Sequence, residues 1–137
     1  MDYTVELDEN QLDAIEIILT QELIHLGVGT VLLIDLAGNI IAHLDNGQND
    51  HDVYSLAALA AGNFGAVSEM AKIIGEEDFS LLFHKGEKDS LHFSKVSEDL
   101  LLINVFGKDV SLGFLRLKVN EVIKKIAQLT ASGTSAR

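Results

Sequence analysis

Histidine is the residue type in this chain best suited to bind a metal or to carry a proton. The five histidines stand at positions 25, 43, 51, 84 and 92, and their spacings match neither HxxxH nor HExxH. His84 and His92 fall on the two arms of a predicted hairpin, where cross-strand neighbours would form a weak metal site. The alternative, which we favour, is that both are ordinary polar positions on strands.

Other motifs that carry chemistry are incomplete. The loop "DNGQNDHD" (45–52) is acidic but lacks the closing bidentate glutamate of a calcium loop, so we interpret it as solvated. The segment "GNFG" (62–65) has neither the preceding strand nor the following Lys-Ser/Thr of a phosphate loop, and no serine lies in a G-x-S-x-G context. Arginine occurs only as Arg116 and Arg137, and cysteine is absent. These observations favour a binding or regulatory protein without a cofactor or metal over an enzyme.

Composition limits the partners that such a protein can have. The 137 residues carry a formal net charge of -11, which repels phosphate backbones and argues against nucleic-acid binding. No apolar run approaches the ~20 residues that a membrane span requires, and the opening "MDYTVELDEN" does not resemble a signal peptide. Together with the absence of cysteine, this predicts a cytoplasmic protein that does not insert into membranes.

Hydrophobic periodicity predicts the element order α-β-β-α-β-β-β-α. A first helix over 8–27 begins at an Asp8/Gln11 capping box, and a last helix begins near Ser111. A second helix spans 53–75 and ends at Gly75. Strands are predicted at 28–36, 40–45, 79–86, 91–96 and 100–107, the last of them central because it is apolar on both faces. Tight turns between strands indicate an antiparallel α+β sheet in one domain, 1–130, followed by a polar tail, 131–137, that we expect to be disordered.

The second helix is unusually apolar. Over residues 54–74 only Glu69 and Lys72 carry charge. One helical face can pack on the sheet: Leu56, Ala60, Phe64, Val67, Ala71 and Ile74. The remaining circumference is apolar or small, and Gly62 and Gly65 each cost ~1 kcal/mol relative to alanine inside a helix. We infer that the helix packs against a second copy of itself; the alternative is an alanine-rich helix wrapped by its own chain.

Four segments together resemble the Roadblock/dynein light chain family. They are "VLLIDLAGNIIA", "SLAALAAGNFGAVSEMAKIIGEEDF", "FHKGEKDSLHFSKV" and "SLGFLRLK", and the resemblance covers roughly residues 8–130. It implies a profilin-like fold with the second helix on one sheet face and the terminal helices on the other. It also implies dimers, with paired third strands and antiparallel second helices. Bacterial members of this kind act on a small Ras-like GTPase in cell polarity and gliding motility, in the cytoplasm or at a cell pole.

The resemblance also implies which residues make each contact. The GTPase surface would contain Ala58, Gly62, Asn63, Ala66 and Met70. The dimer interface would contain Ala61, Gly65, Glu69, Phe79, Leu81 and Phe83. Ser68 and Glu69 stand where small residues are usual in the family.

The implied activity is promotion of GTP hydrolysis by ordering the switch residues of the GTPase, without an arginine finger. Two alternatives are a non-catalytic scaffold or adaptor of the same family and a small-molecule sensor. The sequence leaves open whether the dimer is formed by two identical chains, as we expect, or with a sibling chain.

Overall fold

The computed structural model describes residues 7–48, 50–77 and 81–135. The first helix, α1 (Glu9–Leu19), continues into a π-helical segment (Thr20–Ile24). The remaining helices are α2 (Val53–Ile73) and α3 (Leu112–Ser135). The strands are β1 (Thr30–Asp35), β2 (Ile40–Asp45), β3 (Leu81–Lys85), β4 (Asp89–Ser97) and β5 (Leu100–Gly107).

The five strands form one antiparallel sheet in the order β2-β1-β5-β4-β3. The α+β fold and the central place of β5 are therefore confirmed. Strands β2 and β3 are the two edges of the sheet within the described chain. Because β3 pairs only with β4 there, one side of its backbone is left for another strand.

Each face of the sheet has its own hydrophobic core. On one face, Val31, Leu33 and Leu102 pack with α1, the π-helical segment and α3. On the other, Leu32, Leu101 and Ile103 pack with Ala57, Ala60 and Phe64 of α2. This confirms the predicted layers, with the second helix alone on its face. We call the two faces the α1/α3 face and the α2 face.

Helix α1 starts at the predicted capping box. The Gln11 backbone N–H donates to Asp8 Oδ1 at 2.7 Å, and the Asp8 N–H donates to Gln11 Oε1 at 3.0 Å. The prediction of one uninterrupted helix over 8–27 is wrong, because the chain widens into the π-helical segment from Thr20. Leu19 and Leu23 are both buried here, and their spacing of four residues fits an ordinary helix equally well, so the apolar pattern does not reveal the π-helical turn.

Helix α2 is capped at both ends, and its C-terminal cap is the predicted Gly75. At its start, Asp52 accepts from the Ser55 N–H at 3.1 Å and from the Ser55 hydroxyl at 2.7 Å. At its end, Gly75 adopts a φ of 87°, and the Glu76 N–H donates to the Ala71 carbonyl at 2.8 Å. The Gly75 N–H donates to the Lys72 carbonyl at 3.1 Å, which completes a Schellman cap.

Helix α3 continues further than the sequence predicts. Its start after Ser111 is confirmed, with the Phe114 N–H donating to Ser111 Oγ at 3.2 Å. The helix runs to Ser135, so residues 131–135, expected to be part of a disordered tail, continue it. The Thr130 hydroxyl donates to the carbonyls of Ile126 and Ala127, both at 3.1 Å, so this polar residue is accommodated inside the helix.

The β1–β2 turn packs directly beneath the start of α2. Asp35 Oδ1 accepts from the N–H groups of Ala37 and Asn39 at 3.0 and 2.8 Å. Gly38 has a φ of 93°, and a Cβ added there would lie 3.1 Å from the Ala58 Cα. The glycine therefore serves both the left-handed turn and the close approach of the helix.

We expect Gly38→Ala to lower the free energy of unfolding by about 2 kcal/mol, since alanine meets backbone strain and the α2 backbone at once. Urea unfolding would measure the loss. Gly47→Ala is the matched control, because Gly47 has a φ of 79° but no atom within 4 Å of the added Cβ. Equal losses in the two variants would contradict the contact with α2.

Candidate functional site: the outer face of the second helix

Helix α2 buries only a narrow stripe against the sheet. Ala57, Ala60, Phe64 and Ala71 are buried, and Leu56 is partly buried beside them. Ile74, predicted to face the sheet, is instead 67% exposed because it lies at the C-cap, where the helix leaves the sheet. The packing stripe therefore ends earlier than the sequence predicts, and it includes Ala57, which the predicted face lacked.

The rest of the helix presents large apolar side chains to solvent. Tyr54 is 78% exposed, Leu59 73%, Met70 53% and Ile73 83%. Ala58, Gly62, Gly65 and Ala66 lie exposed on the same helix. A continuous apolar face of this kind is typical of an interaction site. The alternative of a helix wrapped by its own chain is wrong for the described residues.

The two glycines inside α2 have no role in packing within the described chain. A Cβ added at Gly62 or Gly65 meets no atom within 4 Å. Neither glycine has a positive φ, so the backbone conformation does not require them. Small residues that cost helix stability and face open space indicate close approach by another molecule.

The predicted GTPase-binding residues lie together on this helix. Ala58, Gly62, Ala66 and Met70 are exposed, and Asn63 is partly buried at the edge of the face. The charge at Glu69 is balanced locally, since its Oε1 lies 3.2 Å from Lys72 Nζ in a pair that is mostly solvent-exposed. Such a pair contributes little to stability and leaves the face nearly neutral.

The predicted dimer-interface residues are more scattered. Gly65 and Glu69 are exposed on α2, whereas Ala61 is partly buried against the core beneath the helix. Leu81 begins the edge strand β3, and Phe79 lies outside the described residues. Phe83 packs inward, with its ring stacked on Phe106 at a centroid distance of 6.1 Å. Phe83 would therefore join a β3–β3 seam through its backbone, while its side chain remains in its own core.

The weak metal site that we considered for His84 and His92, and did not favour, is excluded by the register of the hairpin. His92 lies opposite Phe83, and His84 lies opposite Leu91, so the two imidazoles point to opposite faces of the sheet. His84 is exposed and meets the Phe93 ring edge-on at 5.6 Å. Residues 7–48, 50–77 and 81–135 contain no group of three or more potential metal ligands.

A buried polar pair was missed by the sequence interpretation. His92 on β4 and Asn104 on β5 are cross-strand partners, exposed by 1% and 0%. Neither the ring nitrogens of His92 nor the side-chain amide of Asn104 has a hydrogen-bond partner among the described residues. Burial, with a smaller contribution from the Arg116 charge, lowers the pKa of His92 to about 4. The polar Asn104 inside the otherwise apolar "LLLINVFG" was the available signal.

An ion-pair cluster joining the π-helical segment to α3 was also missed. Glu22 accepts from Lys125 Nζ at 2.9 Å and from Lys118 Nζ at 3.1 Å. These hydrogen bonds lower the pKa of the Glu22 carboxyl, and the bond to Glu22 raises the pKa of Lys118. The partners are about 100 residues apart in sequence, so no local pattern predicts the cluster.

The fold and this apolar face define a class of protein. The Roadblock/LC7 domain model matches residues 18–106, and the chain belongs to that family, whose MglB-like members are dimeric regulators or adaptors. No curated protein sequence matches the chain. Acanthamoeba castellanii profilin IA is similar in fold alone, with a TM-score of 0.60, 16% identity, and coverage of 82% of this chain and 97% of that one.

Within the family, the chain is similar to MglB. The Myxococcus xanthus MglB structure has a TM-score of 0.84 and 32% identity over 94% of this chain and 96% of that one. The gliding protein MglB of Thermus thermophilus has a TM-score of 0.86 and 27% identity over 96% and 99%. An MglB with a tetrameric arrangement has a TM-score of 0.87 and 26% identity over 96% and 98%.

Proposed function

We propose that two copies of this chain form a homodimer that binds a small Ras-like GTPase of the MglA kind across their paired α2 helices. The observation that carries the proposal is the combination of Gly62 and Gly65 with the exposed apolar side chains around them. Each glycine faces open space within the part of the chain that the structure describes, so we expect a partner to use the close approach that they allow. The similarity to MglB supports a GTPase over other partners.

The two contacts use different parts of the molecule. The free edge of β3 offers backbone hydrogen bonds for a two-fold strand pair, which would extend the sheet across two subunits. The α2 helices would then lie side by side on one face of the joined sheet, leaving a composite apolar surface for the GTPase. We expect this surface to bind its partner mainly through apolar contacts, because the charges of Glu69 and Lys72 balance each other.

The proposed mechanism is promotion of GTP hydrolysis without an arginine finger. Arg116 lies on α3, on the sheet face opposite α2, so the sheet separates it from the proposed GTPase surface. Binding would instead stabilise the conformer in which the switch residues of the GTPase are ordered. The acceleration is then limited by the difference in affinity for the two conformers.

Gly62→Leu tests the surface itself. Because the added side chain meets open space, we expect the chain to fold with equal or greater stability, but to bind the GTPase about tenfold or more weakly. Calorimetric titration with a GTP-loaded Ras-like GTPase would measure this. Gly113→Leu is the matched control, since Gly113 is also helical, exposed and free of neighbours. Unimpaired binding by Gly62→Leu would contradict the proposed surface.

Arg116→Ala tests the mechanism. We expect single-turnover GTP hydrolysis in the complex to change by less than about threefold, whereas loss of an arginine finger would slow it by ~10³ or more. The alternative function is a scaffold of the same family with no effect on hydrolysis. It predicts that the GTPase binds the wild-type chain but hydrolyses GTP at its intrinsic rate.

A further inference from the structure

A small cavity of about 150 Å³ lies between β4 and the first half of α3, on the sheet face opposite α2. Five polar side chains line it: His92, Ser94, Lys95, Arg116 and Asn120. Val119 and Ile123 complete the wall from α3. The cavity is separate from the proposed GTPase surface because the sheet lies between them.

One wall of the cavity is formed by the buried side chain of His92. His92 is 1% exposed, and neither of its ring nitrogens has a hydrogen-bond partner in the described chain. Its cross-strand neighbour Asn104 is in the same condition. Leaving a buried donor or acceptor unsatisfied costs about 1–3 kcal/mol, so native proteins rarely keep such groups without a ligand or water to satisfy them. A polar molecule in the cavity would lie beside His92, and a small rotation of the buried ring would let one of its nitrogens bond to that molecule.

The charges around the cavity identify the class of that molecule. Among the described residues its lining includes the cationic side chains of Arg116 and Lys95 and no carboxylate, although the whole chain carries a net charge of -11. The Arg116 cation would repel a metal ion. Arginine presents several N–H donors in a planar arrangement that suits phosphate and carboxylate oxygens.

We propose that this cavity is a binding site for a small oxyanion, with Arg116 supplying the charge and His92 and Asn120 supplying N–H donors. Neutral His92 donates one ring N–H, and Ser94 can add a hydroxyl donor. The size of the cavity restricts the ligand to a compact molecule or a terminal group, such as inorganic phosphate or the carboxylate of a small metabolite. The proposal is independent of the GTPase, because it concerns the opposite sheet face.

The imidazole resonances of His92 provide a direct test in the intact protein. We would titrate ¹⁵N-labelled chain with sodium phosphate or sodium acetate against sodium chloride at equal ionic strength. We expect saturable shifts of the His92 ring with a Kd of about 10 mM or tighter for at least one oxyanion, and none with chloride. A response to phosphate alone would assign a phosphate site, and a response to acetate alone would assign a carboxylate site. Anion binding should also raise the pKa of His92, because a negative charge beside the imidazole favours protonation.

Arg116→Gln should weaken the oxyanion response at least tenfold. Lys124→Gln is the matched control, since it removes one exposed positive charge from the same helix at a position that does not line the cavity. Arg116 is exposed, so its replacement should leave the fold intact, which the circular dichroism spectrum would verify. Two results would overturn the proposal. The first is that the His92 resonances do not shift with either oxyanion up to about 50 mM, as expected if the cavity holds only water. The second is an unchanged response in Arg116→Gln.

Discussion

Ala66→Arg is expected to weaken binding of the GTPase at least a hundredfold, equivalent to about 3 kcal/mol. Ala66 is exposed on α2, among the apolar and small residues of its outer face. A guanidinium placed there would be buried without an opposite charge when the partner docks, and its bulk would hold the partner backbone away. The same change would also separate two α2 helices if they meet at this point.

The experiment needs two measurements, because dimerisation and partner binding can be lost together. The mass in solution gives the oligomeric state, and titration with a GTP-loaded Ras-like GTPase gives the affinity. Ala127→Arg is the matched control, with the same substitution at an exposed alanine of α3. If Ala66→Arg left both the mass and the affinity at wild-type values, the outer face of α2 would not be the interface.

Acidification is expected to destabilise the chain by about 3 kcal/mol through His92 alone. The pKa of His92 is about 4 in the folded protein, compared with 6.5 for an unperturbed histidine. Above pH 6.5 the imidazole is neutral in both the folded and unfolded states, and its contribution to stability is complete. As pH falls from 6.5 towards 4, the unfolded chain binds a proton that the folded chain resists, so the contribution is progressively lost.

Urea unfolding at fixed protein concentration, at intervals across this range, would measure the loss. We attribute the loss of stability between pH 6.5 and 4.5 to His92. Carboxyl groups such as Glu22 and Asp35 have lowered pKa values, so they titrate at lower pH. In His92→Leu the slope of stability against pH between 6.5 and 4.5 should largely vanish. His51→Leu, at an exposed loop position, should keep the wild-type slope. A slope that survives in His92→Leu would show that the imidazole titrates normally in the folded chain.

Local chemistry determined much of this protein from the sequence alone. The Asp8/Gln11 capping box and the Gly75 cap involve residues a few positions apart, so they can be predicted without tertiary information. The central place of β5 follows from a strand apolar on both faces. The excess apolar surface of α2 is likewise a property of composition and helical spacing, since one sheet face can bury only one stripe of a helix.

Only the tertiary structure decided how distant residues meet. The hairpin register places His84 and His92 on opposite faces, and a shift of β3 by one residue would have placed both on the same face. The Glu22 cluster and the cavity between β4 and Arg116 join segments far apart in sequence. The space above Gly62 is open because no other part of the described chain packs there. A local sequence pattern cannot predict this. The periodicity of the sequence predicts which side of a helix or strand is apolar. Only the packed structure shows which residues that side contacts.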